Sequence, residues 1–345
     1  MKIELERYLE DIEARLDDEQ ESRIQSDWLA WIHHKNTSGP YRVMPRRPIP
    51  SGLEWPHVKI NDAIRDDELS IYRELESVHH TLAMGSAGIL RMRPNYGVVN
   101  VPSAFGCRIF EMDHGTDEAP NVIALNESDV EALLHKPLPG LEDGNFAALM
   151  RFGRNLLKIR EKYPRIAKYI RMEQPDLQGP VDNLELIMGS SPLFYAFYDD
   201  ADTVHALLDK ITSTMMLFMD KWLEMFPENR VYANYFSHVE QGMICIRDDS
   251  AVNLSPDMFS EFIVPYDERL LEKYGGFIHF CGRGDHFIDR LASMKGLTGV
   301  NMSQPHLNDM EEIYRCTIDR GIHLGITAQV DEVRNHDVRN LLILA

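Results

Sequence analysis

Apolar residues along this chain follow two alternating rhythms. Leu5, Leu9, Ile12 and Leu16 recur at spacings of four, three and four, which predicts an amphipathic helix at the N-terminus. Sixteen residues hold only about two heptads, so this helix is expected to pack against the body of the protein, with a homodimer seam as the alternative. Residues 36–56 are rich in Pro and Gly and predict an irregular connection. Beyond them, short apolar runs rich in β-branched and aromatic residues occur at 88–93, 169–172, 231–236, 243–247, 277–280, 297–302, 322–326 and 341–345. Helical periodicity fills most of the gaps, as at 203–225, 257–273, 286–294 and 307–320.

Alternation of this kind predicts parallel strands joined by crossover helices, an α/β chain. Eight candidate strands suit a (β/α)8 TIM barrel over residues 61–345, preceded by a helical extension and irregular connection at 1–60. The connection from Phe236 to Met243 is too short for a crossover helix, so those two runs also read as one strand with an inserted turn. Ser255-Pro256-Asp257 marks a helix start: a capping hydroxyl, a proline at the first helical position and an acid at the positive end of the dipole. Gly275-Gly276 closes that helical stretch. Residues 247–259 therefore form a strand end, a loop and a capped helix, and in a barrel such a loop opens onto the catalytic face.

Composition narrows the function. A net charge of −19, from 36 basic and 55 acidic residues, repels nucleic acid and anionic membrane. No apolar run approaches the ~20 residues of a membrane span, and the first residues lack the apolar core of a secretion signal. A cytoplasmic location is expected. The cysteines at 107, 245, 281 and 316 have no framework spacing and read as free thiols or metal ligands.

His279 and Cys281 stand two positions apart on a predicted strand, so both side chains face the same way. Both are zinc ligand types, although a core histidine beside a core cysteine has the same spacing. Around them lie Arg247-Asp248-Asp249-Ser250-Ala251, Leu254-Ser255-Pro256, Phe259-Ser260-Glu261-Phe262, Pro265-Tyr266 and His279-Phe280-Cys281-Gly282, in that order. With Asp176-Leu177-Gln178-Gly179-Pro180 upstream, this order resembles the uroporphyrinogen decarboxylase superfamily, in particular its corrinoid-dependent methyltransferase branch. The resemblance implies a (β/α)8 barrel with its active site at the carboxyl ends of the strands. It also implies a Zn2+ ion held by His279, Cys281 and one distant cysteine of the last strand. Here the last strand-like run, Leu341-Leu342-Ile343-Leu344-Ala345, carries no ligand, and Cys316 falls in a predicted helix. Asp248, His238 or Glu240 are the expected replacements, since carboxylate and imidazole also bind zinc.

The activity this implies is transfer of a methyl group, carried on the corrinoid of a partner protein, to a metal-activated thiol or a pterin-type acceptor. The alternatives are decarboxylation of uroporphyrinogen or a smaller acid without cofactor, and a non-catalytic barrel that binds a corrinoid or tetrapyrrole. No match to the decarboxylase's N-terminal arginine motif is present, and Arg46 and Arg47 read as a solvated turn. Asp248 and Asp249, paired acids at a strand end, are candidate catalytic groups, as are His238 and Glu240. Arg91, Arg93, Tyr96, Gln178, Asp182 and Arg283 are candidates for holding a small-molecule substrate, because each lies near a strand end. Arginines alternating into a barrel would be costly unless they met acids or an anionic ligand.

Overall fold

The computed structural model describes all residues except 1, 2, 36–38, 236, 237, 327–332, 334, 344 and 345; at Tyr235 and His238 it describes the backbone alone. Among the described residues seven parallel strands form the wall of a barrel. β1 (Arg91–Met92) pairs with β4 (Arg171–Met172), and β7 (Ile244–Arg247), β8 (Gly276–Phe280), β9 (Leu297–Met302), β10 (His323–Ile326) and β11 (Leu341–Ile343) follow in sequence order. Tyr41 supplies the eighth position through a parallel bridge to Leu342, so the segment expected to be irregular contributes to the barrel wall. Among the described residues two antiparallel hairpins are not part of this ring: β2 (Arg108–Phe110) with β3 (Asn121–Ile123), and β5 (Tyr232–Tyr235) with β6 (His238–Gln241).

The run at 231–236, expected as a barrel strand, is therefore one arm of a hairpin. The short connection to residue 243 permits only an antiparallel return. At its end Gly242 takes φ +104 and lies against the backbone of Gly275, which leads the chain into β7.

Strand pairing is incomplete at two seams, and side chains complete it. Between β4 and β7, the Gln174 amide donates to the Cys245 carbonyl at 2.7 Å and accepts from the Cys245 N–H at 2.8 Å. Between residue 41 and β1, the Arg46 guanidinium donates to the carbonyls of Ser86 and Gly88 and forms a buried ion pair with Glu21. The expectation of a solvated turn fails at Arg46: backbone carbonyls left without a ladder partner need a donor, and its planar fork supplies several.

Alternation along each strand sorts two cores. Met92, Met172, Ile246, Ile278, Val300 and Leu324 face the surrounding helices and join the main apolar core. Arg91, Arg93, Arg247, His279, Asn301 and His323 belong to the opposite set, which faces the barrel interior. The N-terminal helix, Leu5–Arg15, buries Leu9 and Ile12 against the helix Asp67–Met84. The capped helix forms as expected, with the Ser255 hydroxyl accepting the Met258 N–H at 3.2 Å. It breaks at Ile263, and a second helix, Val264–Tyr274, carries Pro265 in its first turn.

Candidate functional site

Asp249, His279 and Cys281 meet at the carboxyl ends of β7 and β8, their ligand atoms within 4.8 Å of one another. Cys281 Sγ lies 3.4 Å from His279 Nε2, and Asp249 Oδ1 lies 3.8 Å from the same nitrogen. Asp249 Oδ1 also accepts the Cys281 N–H at 2.9 Å, which binds the loop after β7 to the end of β8.

The tautomer of His279 follows from its neighbour. Asn301 Nδ2 donates to the Gly325 carbonyl at 3.0 Å, so Asn301 Oδ1 faces His279 Nδ1, 2.5 Å away. Nδ1 must then carry the proton, and the Nε2 lone pair points toward Cys281 and Asp249. Burial lowers the His279 pKa, favouring the neutral ring. Burial also raises that of the Cys281 thiol, with the Ser303 hydroxyl acting against it. One nitrogen, one sulfur and one carboxylate oxygen around a common point form a donor set suited to zinc. The three residues fit the metal that the resemblance implies. Among the described residues Asp249 is the third donor-type group beside His279 and Cys281, while Cys316 is buried on the outer helix Met310–Cys316.

Below this cluster the barrel interior is charged. Arg91 pairs with Glu173 at 2.7 Å, and Arg93 stands 3.8 Å from Asp176, which is also ion-paired with Arg247. Arg247 in turn lies 3.9 Å from Asp249, so ionic contacts run from β1 to the candidate metal centre. Gln178, at φ +54, donates its side-chain amide to Asp176 at 2.6 Å. A cleft of about 460 Å³ opens over Arg91 and Arg93, with Arg73, Glu74 and Asn95 also in its lining.

Several sequence expectations need correction. Asp248, just beyond the end of β7, is buried near Asp267 of the helix Val264–Tyr274, and burial with the neighbouring Asp267 carboxyl raises its pKa well above the ordinary carboxylate range; alternation turns it away from Asp249. Glu240 lies on the hairpin, deep in the barrel, hydrogen-bonded to His323 at 2.6 Å and packed against Gly299. That level is two residues below the pair His279 and Asn301, so Glu240 does not complete the metal shell. His238 belongs to β6, and its side chain lies outside the described residues. Tyr96 is buried in the main core, near Ser70. Arg283 is exposed and bound to Asp285. Asp182 braces the loop: its two oxygens accept the N–H groups of Asp249 and Ser250 at 2.9 and 2.8 Å.

Glu173, Asp267 and Asn301 escaped sequence reasoning. Asn301 had a legible signal, a polar residue in an apolar strand. Glu173 ends a strand in phase with Arg171. Asp267, inside an amphipathic helix, gave none.

Comparison with known proteins supports the fold. The family model described as uroporphyrinogen decarboxylase (URO-D) matches residues 96–316. Among solved structures, a methyltransferase from Methanosarcina mazei superposes with a TM-score of 0.65 at 16% identity, covering 93% of this chain and 92% of that one. No curated protein matches the sequence.

Proposed function

Because the chain belongs to the uroporphyrinogen decarboxylase family, we propose that it is a zinc-dependent methyltransferase, with Asp249, His279 and Cys281 holding the ion. The observation that carries this reading is the convergence of those three donors at the carboxyl end of the barrel. The methyltransferase with a similar fold supports the reaction class. Zinc, when bound, would hold the Cys281 sulfur as thiolate and keep a position open for an acceptor.

The rest is work for the chain's own residues. Asn301 fixes the His279 ring so that Nε2 faces the site. Asp182 fixes the loop that presents Asp249. Arg91 and Arg93 line a cleft and, held there by Glu173 and Asp176, suit a polar acceptor of small size. A thiol or pterin-type acceptor and a methylated corrinoid delivered by a carrier protein complete the proposal.

Elemental analysis of protein purified without chelator tests the metal. About one equivalent of zinc is expected, falling to near zero in Cys281→Ser; less than about a tenth of an equivalent in the wild type would sink the reading. The family description favours a second reading, decarboxylation without metal. That reading requires turnover of a carboxylated substrate to survive both chelation and Cys281→Ser.

A further inference from the structure

A groove of about 650 Å³ runs along the outside of the barrel, between the helices Glu127–Leu133, Pro180–Met188 and Ser190–Asp199. Its apolar lining includes Val130, Leu134, Met188, Pro192 and Ala196, and Glu127, Glu131 and Asp200 stand along it. Asp129, Asp199 and Asp202 are exposed in the same two stretches of chain.

The helix Ser190–Asp199 has more apolar surface than the fold covers. Leu193 and Phe197 reach the core, while Tyr195 and Tyr198, one turn apart, are 71% and 78% exposed. A helix apolar on most of its faces is normally enclosed. The β2–β3 hairpin borders the same region: the Leu125 N–H, just after β3, donates to the Ile187 carbonyl at 2.8 Å. That hairpin exposes Ile109, Phe110 and Ile123. Clustered exposed apolar side chains with a polar rim are the mark of an interaction surface.

The geometry points to a docking site for a partner protein that presents an amphipathic segment, apolar along one edge and flanked by Lys and Arg. Charge selects this occupant. A second copy of the chain would set the same acids against each other and bring another charge of −19, which disfavours self-association through this face. A basic partner meets a complementary rim and is steered toward the molecule by its net charge. This inference is independent of the metal centre.

A fluorescent amphipathic peptide built only of Leu and Lys serves as the probe, with a Leu/Glu peptide of the same pattern beside it. Saturable binding of the Leu/Lys peptide, weakening with added salt, is expected. Ala196→Arg and the pair Glu127→Lys/Glu131→Lys should each weaken it about tenfold or more. The charge-matched pair Glu54→Lys/Glu161→Lys, on exposed positions elsewhere, should change it less than about threefold. Equal loss in both double variants would assign binding to the overall field and overturn the site. Equal binding of the Leu/Glu peptide, absence of saturable binding, or a wild-type dimer dissociated by Ala196→Arg in sedimentation would do the same.

Discussion

At the scale of single residues, the site depends on which atom holds a proton and which neighbour keeps it there. Asn301 touches no proposed substrate, yet its side-chain oxygen holds His279 Nδ1 as the donor, so that Nε2 is offered to the cluster. Asn301→Ala is therefore expected to lower zinc affinity about 10- to 100-fold, read by competition with a chromogenic chelator. The far-ultraviolet circular dichroism should stay that of the wild type. Arg247 has a different task. It is the closest cation to Asp176, whose carboxyl is buried and which also draws on Arg93. Removing the guanidinium strands that carboxylate in the barrel, so Arg247→Met should cost about 3 kcal/mol in urea denaturation. A loss under about 0.5 kcal/mol would mean that Arg93 compensates.

At the scale of elements, the helices and most strands were legible because their signals are local. Spacing alone marked the N-terminal helix, and Ser255-Pro256 marked the start of the capped one. The pair His279 and Cys281 was legible for the same reason: a period of two placed both on one face before any tertiary contact was known. The partner of that pair was not. Asp248 and Asp249 are adjacent acids at a strand end, and only the pairing Arg247 with His279 decides which faces the interior. The run at 231–236 was misassigned to the barrel because β5 has the composition of a barrel strand, and its non-barrel position rests on the turn at Gly242. That glycine combines a left-handed φ with backbone contact at Gly275, so Gly242→Ala meets both strain and a clash. The substitution should destabilise the protein by at least about 2 kcal/mol, measured by chemical denaturation.

At the scale of the whole molecule, an acidic chain has buried acids where they have few cations to meet. Desolvation raises Asp182, Asp248, Asp267 and Glu240 above the ordinary carboxylate range, and Asp267 reaches about 7. These groups bind more protons folded than unfolded, so their contribution is full below the unfolded pKa near 4 and lost as pH rises through the folded values. Asp117, lowered to about 2 mainly against its burial by the Ile60 N–H, His57 and Arg73, acts in the opposite sense and matters only in stronger acid. Self-repulsion from the net charge grows in the same direction as the buried-acid effect. Thermal stability should therefore be highest in mildly acidic buffer and decline between about pH 5 and 8. Asp267→Asn removes one titrating member of the Asp248 pair while leaving an amide to bond its partner. In chelator-treated protein that substitution should flatten the decline measured by differential scanning fluorimetry. An unchanged slope would transfer the effect to surface charge, which added salt would then suppress.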